Sequence, residues 1–469
     1  MASDLVAGFG WFVLLYFLAI NTSYLVLIAL AGADVARQRR RSPFVGLADA
    51  YANPLLPPVS ILVPAYNEEL SIVEAVEAMF TIRYPSVEVI VVDDGSTDET
   101  FSRLRDTFGL VEVPAVISND VPTVGGVTGV YVCATNERLV VVRKVNSGRA
   151  DSLNVAINLA SSPLICMVDA DSLLDPDAVL NVVQPFLNDP DRVIATGGVV
   201  RLANGATIES GRVVELAMPR RWVTRIQVIE YLRAFLLGRA GWSKLGALMV
   251  VSGAFGMFRR DVLVEVGGLD PATIGEDAEL VVRLHRHMRD NGRDYRIVFV
   301  SEPVSWTEAP ETTRVLASQR RRWSRGLAEI MWKHRRMIGN PRYGRIGLIG
   351  MPYYLIFELL APVVELLGIV AVIVGLSLGL VNVQFALLLA IAAIGYAVVL
   401  SLLVMLIEEL SFHRYGRVRD AGIAVAATIG ENVGYRQLTV WWRLQGIWSA
   451  VRGRTQVWGV MTRTGFHPK

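Results

Sequence analysis

Leu164–Asp171 reads LICMVDAD, and Val87–Asp98 reads VEVIVVDDGSTD. Each is a short apolar run that stops on two aspartates. A run of that length, bounded by polar residues, reads as a strand buried on both faces. Working outward, VSILVPAYNE (Val59–Glu68) and LVVVR (Leu139–Arg143) have the same form. The segments between them carry helical spacing. Ile72, Val73, Val76 and Met79 share a face within Glu69–Phe80, Thr97-Asp98 can cap a helix, and Ser147-Gly148 opens another through Ala160. Strand, loop and helix alternate, which predicts an α/β fold: a Rossmann-like, mostly parallel sheet with helices on both faces. Val127–Lys144 reads as a hairpin turning near Thr135–Glu137. Ligands of such sheets bind outside the carboxyl ends of the strands. Asp93, Asp94, Asp169 and Asp171 all stand at such ends.

Composition adds a second environment. Of 469 residues, 52% are hydrophobic and 19% are charged, against about 25% charged in soluble domains. Disorder and an ordinary soluble enzyme are excluded, and part of the chain is expected in lipid. The 46 basic and 44 acidic residues nearly balance, so a nucleic-acid binder is excluded. Cys133 and Cys166 make no disulfide framework and have no zinc-ligand spacing.

Leu5–Ala31 carries no charge and exceeds the roughly 20 residues that span a bilayer. Ala31-Gly32-Ala33 resembles a signal-peptidase site, but the leader MASD lacks a basic residue and the run is too long for a signal peptide. Arg37–Arg41 (RQRRR) marks the cytoplasmic side. Ile346–Leu380 suits an interfacial turn plus one span, and Phe385–Ile407 suits another. Glu358 and Glu365 lie seven apart on one helix face, where they could line a conduit, pair with basic groups or sit at a helix end. Beyond His413, Trp441, Trp442, Trp448 and Trp458 interleave with Arg436, Arg443, Arg452 and Arg454, as in an interfacial amphipathic helix. The expected organisation is an anchor and basic flank over 1–44, a cytosolic domain over 45–345, two transmembrane helices with an interfacial start over 346–412, and an interfacial helix and tail over 413–469.

The candidate chemistry lies in the middle region. A D-x-D at the end of a buried strand can hold Mg²⁺ or Mn²⁺, which also take phosphate oxygens. No P-loop, dinucleotide fingerprint or nucleophile elbow is present. In IGEDAELVVRLHRH, from Ile274, Glu276, Asp277 and Glu279 fall in the first turn of a helix. They either stabilise its N-terminus or supply a general base. In SQRRRWSRG (Ser318–Gly326), Gln319, Arg322 and Trp323 share one helix face. Arg can grip a pyrophosphate and Trp can stack on a sugar ring. Arg320, Arg321 and Arg325 point elsewhere and are expected to face anionic headgroups.

The ordered set PAYNE, VVDDGSTD, SGRADSLN, DAD, SGAFGMFRR, GED and QRRRW, over residues 58–326, resembles the membrane-bound, processive family 2 glycosyltransferases. That family includes the synthases of cellulose, chitin, hyaluronan and poly-N-acetylglucosamine. The resemblance implies a cytosolic GT-A domain, α-helical transmembrane segments at the inner membrane, and inverting transfer from a UDP-sugar with Mg²⁺ or Mn²⁺. By position, Tyr66 would stack on the uracil with Glu68 nearby, and Asp93 and Asp94 would contact uridine, their shares undivided. Asp169 and Asp171 would reach the pyrophosphate and metal. Asp277 would be the base, Gln319 and Arg322 would hold the departing diphosphate, and Trp323 would floor the acceptor sugar. Ser252-Gly253-Ala254 would border the acceptor pocket. Arg149 stands where the family usually has Lys on the donor side. The acceptor would be a growing β-linked polysaccharide or, in an alternative similar to ceramide glucosyltransferases, a membrane lipid. Three spans are few for a private polymer channel, so a homo-oligomer or a secretion partner is a further expectation.

Overall fold

The described residues hold twelve strands, and the four apolar runs quoted above are among them. The computed structural model describes residues 2–41, 55–209, 212–379, 382–412 and 418–453. Two units are interleaved along the chain: one is Gln38–Leu216 with Leu248–Ala309 and Met461–Lys469, and the other is Met1–Arg37, Ala217–Ala247 and Pro310–Val460. The single block expected over 45–345 thus gives up 217–247 and 310–345 to the helical unit. The boundary at 44–45, the basic run at 413–417, and Arg454 and Trp458 lie outside the described residues.

The first unit is built on one sheet. Its strands are β1 (Val59–Ala65), β2 (Val87–Asp93), β3 (Leu110–Val113), β4 (Val127–Cys133), β5 (Leu139–Lys144), β6 (Leu164–Val168), β7 (Leu173–Leu174), β8 (Val193–Leu202), β11 (Phe255–Arg259) and β12 (Arg296–Thr307). Their order is β3-β4-β5-β2-β1-β6-β11-β8-β12-β7, and β9 (Thr207–Glu209) pairs with β10 (Arg212–Glu215) apart from it. The centre β5-β2-β1-β6 is parallel, as the alternation predicts. Strand β11 runs antiparallel between β6 and β8, a departure that the sequence pattern does not announce. Every residue of β6 and β8 is buried, as apolar runs in a two-sided sheet require. Each fully buried Val, Leu or Ile contributes about 1.5–3 kcal/mol of transfer free energy.

Register then fixes a functional rim. Ala65 pairs with Asp93, and Asp93 with Arg143, so the carboxyl ends of β1, β2 and β5 stand in one row. Behind the row, the Arg149–Leu159 helix is buried from Ala150 to Asn158. Its polar residues are therefore bonded rather than solvated. Asn158 exchanges hydrogen bonds with the Val121 backbone at 2.8 and 2.9 Å, and Asn154 does so with Leu269 at 2.9 and 2.8 Å.

In the helical unit, two helices among the described residues are long and apolar enough to cross a membrane, Gly8–Ala33 and Ile346–Ser377. The third expected span falls within the helix Val383–Phe412, whose described apolar part is Gly395–Ile407. Glu358 and Glu365 take the pairing option. Glu365 is held by Arg436 at 2.8 and 3.2 Å, and Glu358 accepts from Tyr24 at 3.0 Å and faces Arg443 at 3.5 Å. The helix Arg436–Val451 is thereby docked inside the unit, with Trp442 buried and Trp441 and Trp448 exposed.

Close packing of that helix rests on Gly446. A Cβ there would lie 2.3 Å from the Arg321 carbonyl oxygen and 3.0 Å from Ser324 Cβ. In a loose helix, Gly→Ala stabilises by up to about 1 kcal/mol. Here Gly446→Ala is expected to destabilise by about 1–3 kcal/mol, read as a lowered thermal midpoint of the detergent-solubilised chain. A raised midpoint would show the contact to be loose.

Candidate active site

Two loops close the rim at β1 and β2. Tyr66 follows β1 and is half exposed. Asn67 then adopts φ +57°, a left-handed conformation that Asn tolerates. Its Oδ1 accepts the Thr97 N–H at 2.8 Å, while its own N–H donates to Ser96 Oγ at 3.0 Å. Glu68 is buried, and its Oε2 accepts from Ser71 Oγ at 3.0 Å. Exposure leaves the Tyr66 ring able to stack on a planar ligand, whereas Glu68 braces the loop beneath it.

The paired aspartates divide their work. Asp93 receives the Ser96 N–H at 3.0 Å and Arg143 Nε at 3.3 Å. The Arg143 guanidinium in turn lies over Phe101, 4.2 Å from the ring centroid. Asp94 instead organises the segment after β5. It receives Lys144 Nζ at 2.6 Å, Ser147 N at 3.0 Å and Gly148 N at 2.8 Å. Lys144 also reaches Asp151 at 3.0 Å and is itself fully buried. Burial alone would raise the Asp151 carboxyl, but hydrogen bonds from Ser147, the Val124 and Gly125 N–H groups and Lys144 outweigh it and hold the group below the usual range. Neither Lys144 nor Asp151 is a sequence candidate. A basic residue at a strand end reads as solvated, and its partners are drawn from both sides of it in the chain.

A second cluster lies where β6, β11 and the Glu276–Asp290 helix meet. Arg149 spans it. Its Nε donates to Asp169 Oδ1 at 2.9 Å, its Nη1 to Glu276 Oε1 at 2.9 Å, and its Nη2 to the Gly253 carbonyl at 2.7 Å. Gly253 N then donates to Asp277 Oδ2 at 3.1 Å, and Asp277 Oδ1 accepts the Ala278 N–H at 2.8 Å. A continuous hydrogen-bonded path thus joins the D-x-D to Asp277 through Arg149 and Gly253. Desolvation opposes the charge on Arg149, but Asp169, Glu276 and Asp277 outweigh it and keep the guanidinium protonated. Burial raises the Glu276 carboxyl, with Arg149 lowering it and Asp277 raising it further. The three acids of the first turn therefore differ. Glu279 is paired with Arg283 at 3.0 Å, Glu276 neutralises Arg149, and Asp277 is half-buried with oxygens aimed by two backbone donors.

His285 braces the same helix. It is buried, with Nε2 2.8 Å from the Leu248 carbonyl and Nδ1 2.7 Å from the Tyr295 hydroxyl. Nε2 must donate to that carbonyl, so the neutral ring accepts from Tyr295 at Nδ1. Burial pushes the ring down to about 4 from 6.5. The neutral form contributes stability that is whole above the unfolded value and is lost as pH falls from 6.5 toward 4, roughly 3 kcal/mol in full. His285→Gln is expected to shrink the difference in thermal stability between pH 7 and pH 5. An unchanged difference would remove His285 as its source.

The helical unit holds the remaining candidates. Gln319, Arg322 and Trp323 lie on the Thr313–Lys333 helix, with Gln319 buried and Trp323 44% exposed. Gln319 Oε1 has no hydrogen-bond partner among the described residues. The expectation that Arg320, Arg321 and Arg325 face lipid headgroups is corrected, because each has a protein partner. Arg320 pairs with Glu230, which also accepts from Tyr435, and its guanidinium lies 4.7 Å from the Trp323 ring centroid. Arg321 donates to Gln445 at 3.2 Å. Arg325 donates to Glu329 at 2.7 Å and to Ser449 at 3.3 Å.

Among the described residues no three His, Cys, Asp or Glu side chains form a ready-made metal cage. Asp169 is one-third exposed and Asp171 is buried. One or two carboxylates suffice for a hard divalent cation that takes its other ligands from phosphates and water, so this donor set fits such an ion.

Comparison with known proteins follows the same lines. Residues 57–326 match the family described as Glycosyltransferase like family 2. A poly-beta-1,6-N-acetyl-D-glucosamine synthase of Staphylococcus epidermidis is 27% identical over 278 residues, 58% of this chain and 55% of that protein. A probable glycosyltransferase of Bacillus subtilis is 27% identical over 280 residues, 59% of this chain and 57% of its own length. The chain spans about half the length of the curated relatives it matches. A solved mannosyltransferase of Pyrobaculum calidifontis, in complex with GDP-Man and Mn²⁺, superposes with a TM-score of 0.54 at 20% identity, over 90% of this chain and 99% of that one. That likeness shows the GT-A fold.

Proposed function

The chain belongs to glycosyltransferase family 2, and from that premise we propose that it transfers a hexose or N-acetylhexosamine from a UDP-sugar to a growing β-linked polysaccharide, with inversion, at the inner membrane. The observation that carries the reading is the path Asp169–Arg149–Gly253–Asp277. In-line displacement at an anomeric carbon needs a base on one face and a stabilised leaving group on the other. The D-x-D and Arg149 supply fixed charges of both signs for a diphosphate and its cation, and Asp277 supplies an aimed carboxylate for the acceptor hydroxyl. Asp169 and Asp171 would hold Mg²⁺ or Mn²⁺, which when bound neutralises charge on the departing diphosphate. Tyr66 and Asp93 bind the nucleoside. Asp94 keeps the 144–148 segment, and hence Arg149, in place. Gln319, Arg322 and Trp323, on the helical unit, keep the roles that the family resemblance implies for them. The relatives named for poly-N-acetylglucosamine synthesis favour UDP-N-acetylglucosamine as donor and a polymer as product. Helices Gly8–Ala33 and Ile346–Ser377 support a membrane protein, and the basic run Arg37–Arg41 in the sequence supports a cytoplasmic sheet unit.

The test is the full chain in a bilayer mimic with Mn²⁺ or Mg²⁺ and a panel of labelled UDP-sugars. Products are sized and then cut with linkage-specific hydrolases. A ladder or polymer from UDP-N-acetylglucosamine is expected. A single mobile glycolipid would replace the polysaccharide acceptor with a lipid, and no consumption of any donor would overturn the reading.

A further inference from the structure

From Ile330 to Phe357 the chain carries no Asp or Glu, yet it carries Lys333, Arg335, Arg336, Arg342 and Arg345. The fold sorts this segment by polarity. His334, Met337, Tyr343 and Ile346 are buried, whereas all five cations are exposed and Trp332 is 72% exposed. The cations therefore occupy the outer side of a structure whose inner side is packed.

That structure is fastened to the start of an apolar helix. Two 3-10 turns, Arg335–Met337 and Pro341–Tyr343, flank Asn340, whose side chain accepts the Arg342 N–H at 3.0 Å. Gly339 N donates to the Gly347 carbonyl at 2.9 Å. A Cβ on Gly347 would lie 2.4 Å from the Asn340 carbonyl oxygen, so the cationic turn sits directly on the first turn of Ile346–Ser377. Arg335 lies over Trp332, 4.9 Å from the ring centroid. Leu348 and Ile349 follow, both exposed and apolar. An exposed indole among cations, then exposed aliphatics, matches the order of a leaflet from headgroups to hydrocarbon. Several exposed cations along a stretch whose sequence holds no carboxylate favour a plane of negative charge over a single small anion.

We infer that Trp332–Arg345 is a docking surface for the headgroups of anionic glycerophospholipids, which set the depth at which the Thr313–Lys333 helix ends. The inference rests on the reading of Ile346–Ser377 as membrane-spanning. It shifts the headgroup contact expected of Arg320, Arg321 and Arg325 to the next stretch of chain.

The test uses the full chain in nanodiscs of phosphatidylcholine containing a minority of phosphatidylglycerol, with acyl chains brominated in one lipid or the other. The Trp332 contribution to fluorescence is the difference between the wild type and Trp332→Phe. Brominated phosphatidylglycerol is expected to quench that contribution several-fold more than brominated phosphatidylcholine. Each neutralised cation should lower the preference by on the order of fivefold at low salt, so R335Q/R336Q/R342Q/R345Q should abolish it. Should that variant fail to fold, the wild-type preference must still decline as salt rises, because screening acts within a Debye length. Equal quenching by both lipids, a salt-independent preference, or displacement of phosphatidylglycerol by inorganic phosphate would overturn the proposal. Chain recovered outside the discs would overturn the membrane reading as well. Loss of sugar transfer with the lipid preference intact would count against the proposed function alone.

Discussion

Asp277→Asn is expected to lower sugar transfer by about 10²–10⁴-fold, the usual contribution of a positioned general base, while UDP binding stays within a few-fold of wild type. The substitution is nearly isosteric, and an amide oxygen can still accept the Gly253 N–H that now reaches Asp277 Oδ2 at 3.1 Å. Arg149 keeps its other anchors, Asp169 and Glu276, so the donor side is left standing. What disappears is the basic oxygen. Removing a neighbouring negative charge relieves Glu276, whose carboxyl Asp277 helps to raise, but the amide has one oxygen for the two backbone donors that Asp277 serves, Gly253 and Ala278, so a stability loss of about 1 kcal/mol is expected. Single-turnover transfer with labelled donor, together with calorimetric UDP binding, separates the two effects. Turnover within tenfold of wild type would remove Asp277 as the base, and loss of UDP binding would make it part of the donor site.

Arg149→Met should cost the sheet unit about 3–5 kcal/mol, the range for leaving a buried charge without its partner. The group abandoned is Glu276, which is 6% exposed. Without the guanidinium, its carboxyl must ionise unaided or stay protonated. A carboxyl raised above its unfolded value destabilises where it is ionised, and the penalty fades as pH falls below the folded value. The deficit should therefore be larger at pH 7 than at pH 5. Adding Glu276→Gln removes the orphaned charge and should restore most of the loss, a coupling that a double-mutant cycle measures. Losses that simply add would show Arg149 and Glu276 to be independent. Arg149→Lys retains the charge but cannot fork to Asp169, Glu276 and the Gly253 carbonyl at once, so intermediate stability is expected.

The parallel centre of the sheet was legible because β1, β2, β5 and β6 are short apolar runs bounded by turn or charged residues. The rim was legible for the same reason, since Asp93 is the last residue of β2 and Asp169 follows the last residue of β6. Strand β11 was not, because an antiparallel strand inserted among parallel ones has the same apolar run as its neighbours. Position along a helix gave the shared face of Gln319, Arg322 and Trp323 but not the partners of Arg320, which pairs with Glu230 across 90 positions of sequence. Lys144 to Asp94 spans 50 positions and Arg149 to Glu276 spans 127. Such pairings depend on which elements the tertiary fold brings side by side, and local pattern holds no record of that.

Strand β12 hydrogen-bonds β8 along its length and the two residues of β7 on its other side. A nascent chain leaving the ribosome therefore cannot complete its sheet until Thr307 has cleared the exit tunnel. By then Ala217–Ala247, which folds with the other unit, has already emerged. Throughout that interval β8 offers an open flank of unpaired amides and carbonyls, the kind of edge that recruits stray strands. Ribosomes stalled before Arg296 should expose that flank to chaperones, and those stalled well beyond Thr307 should not.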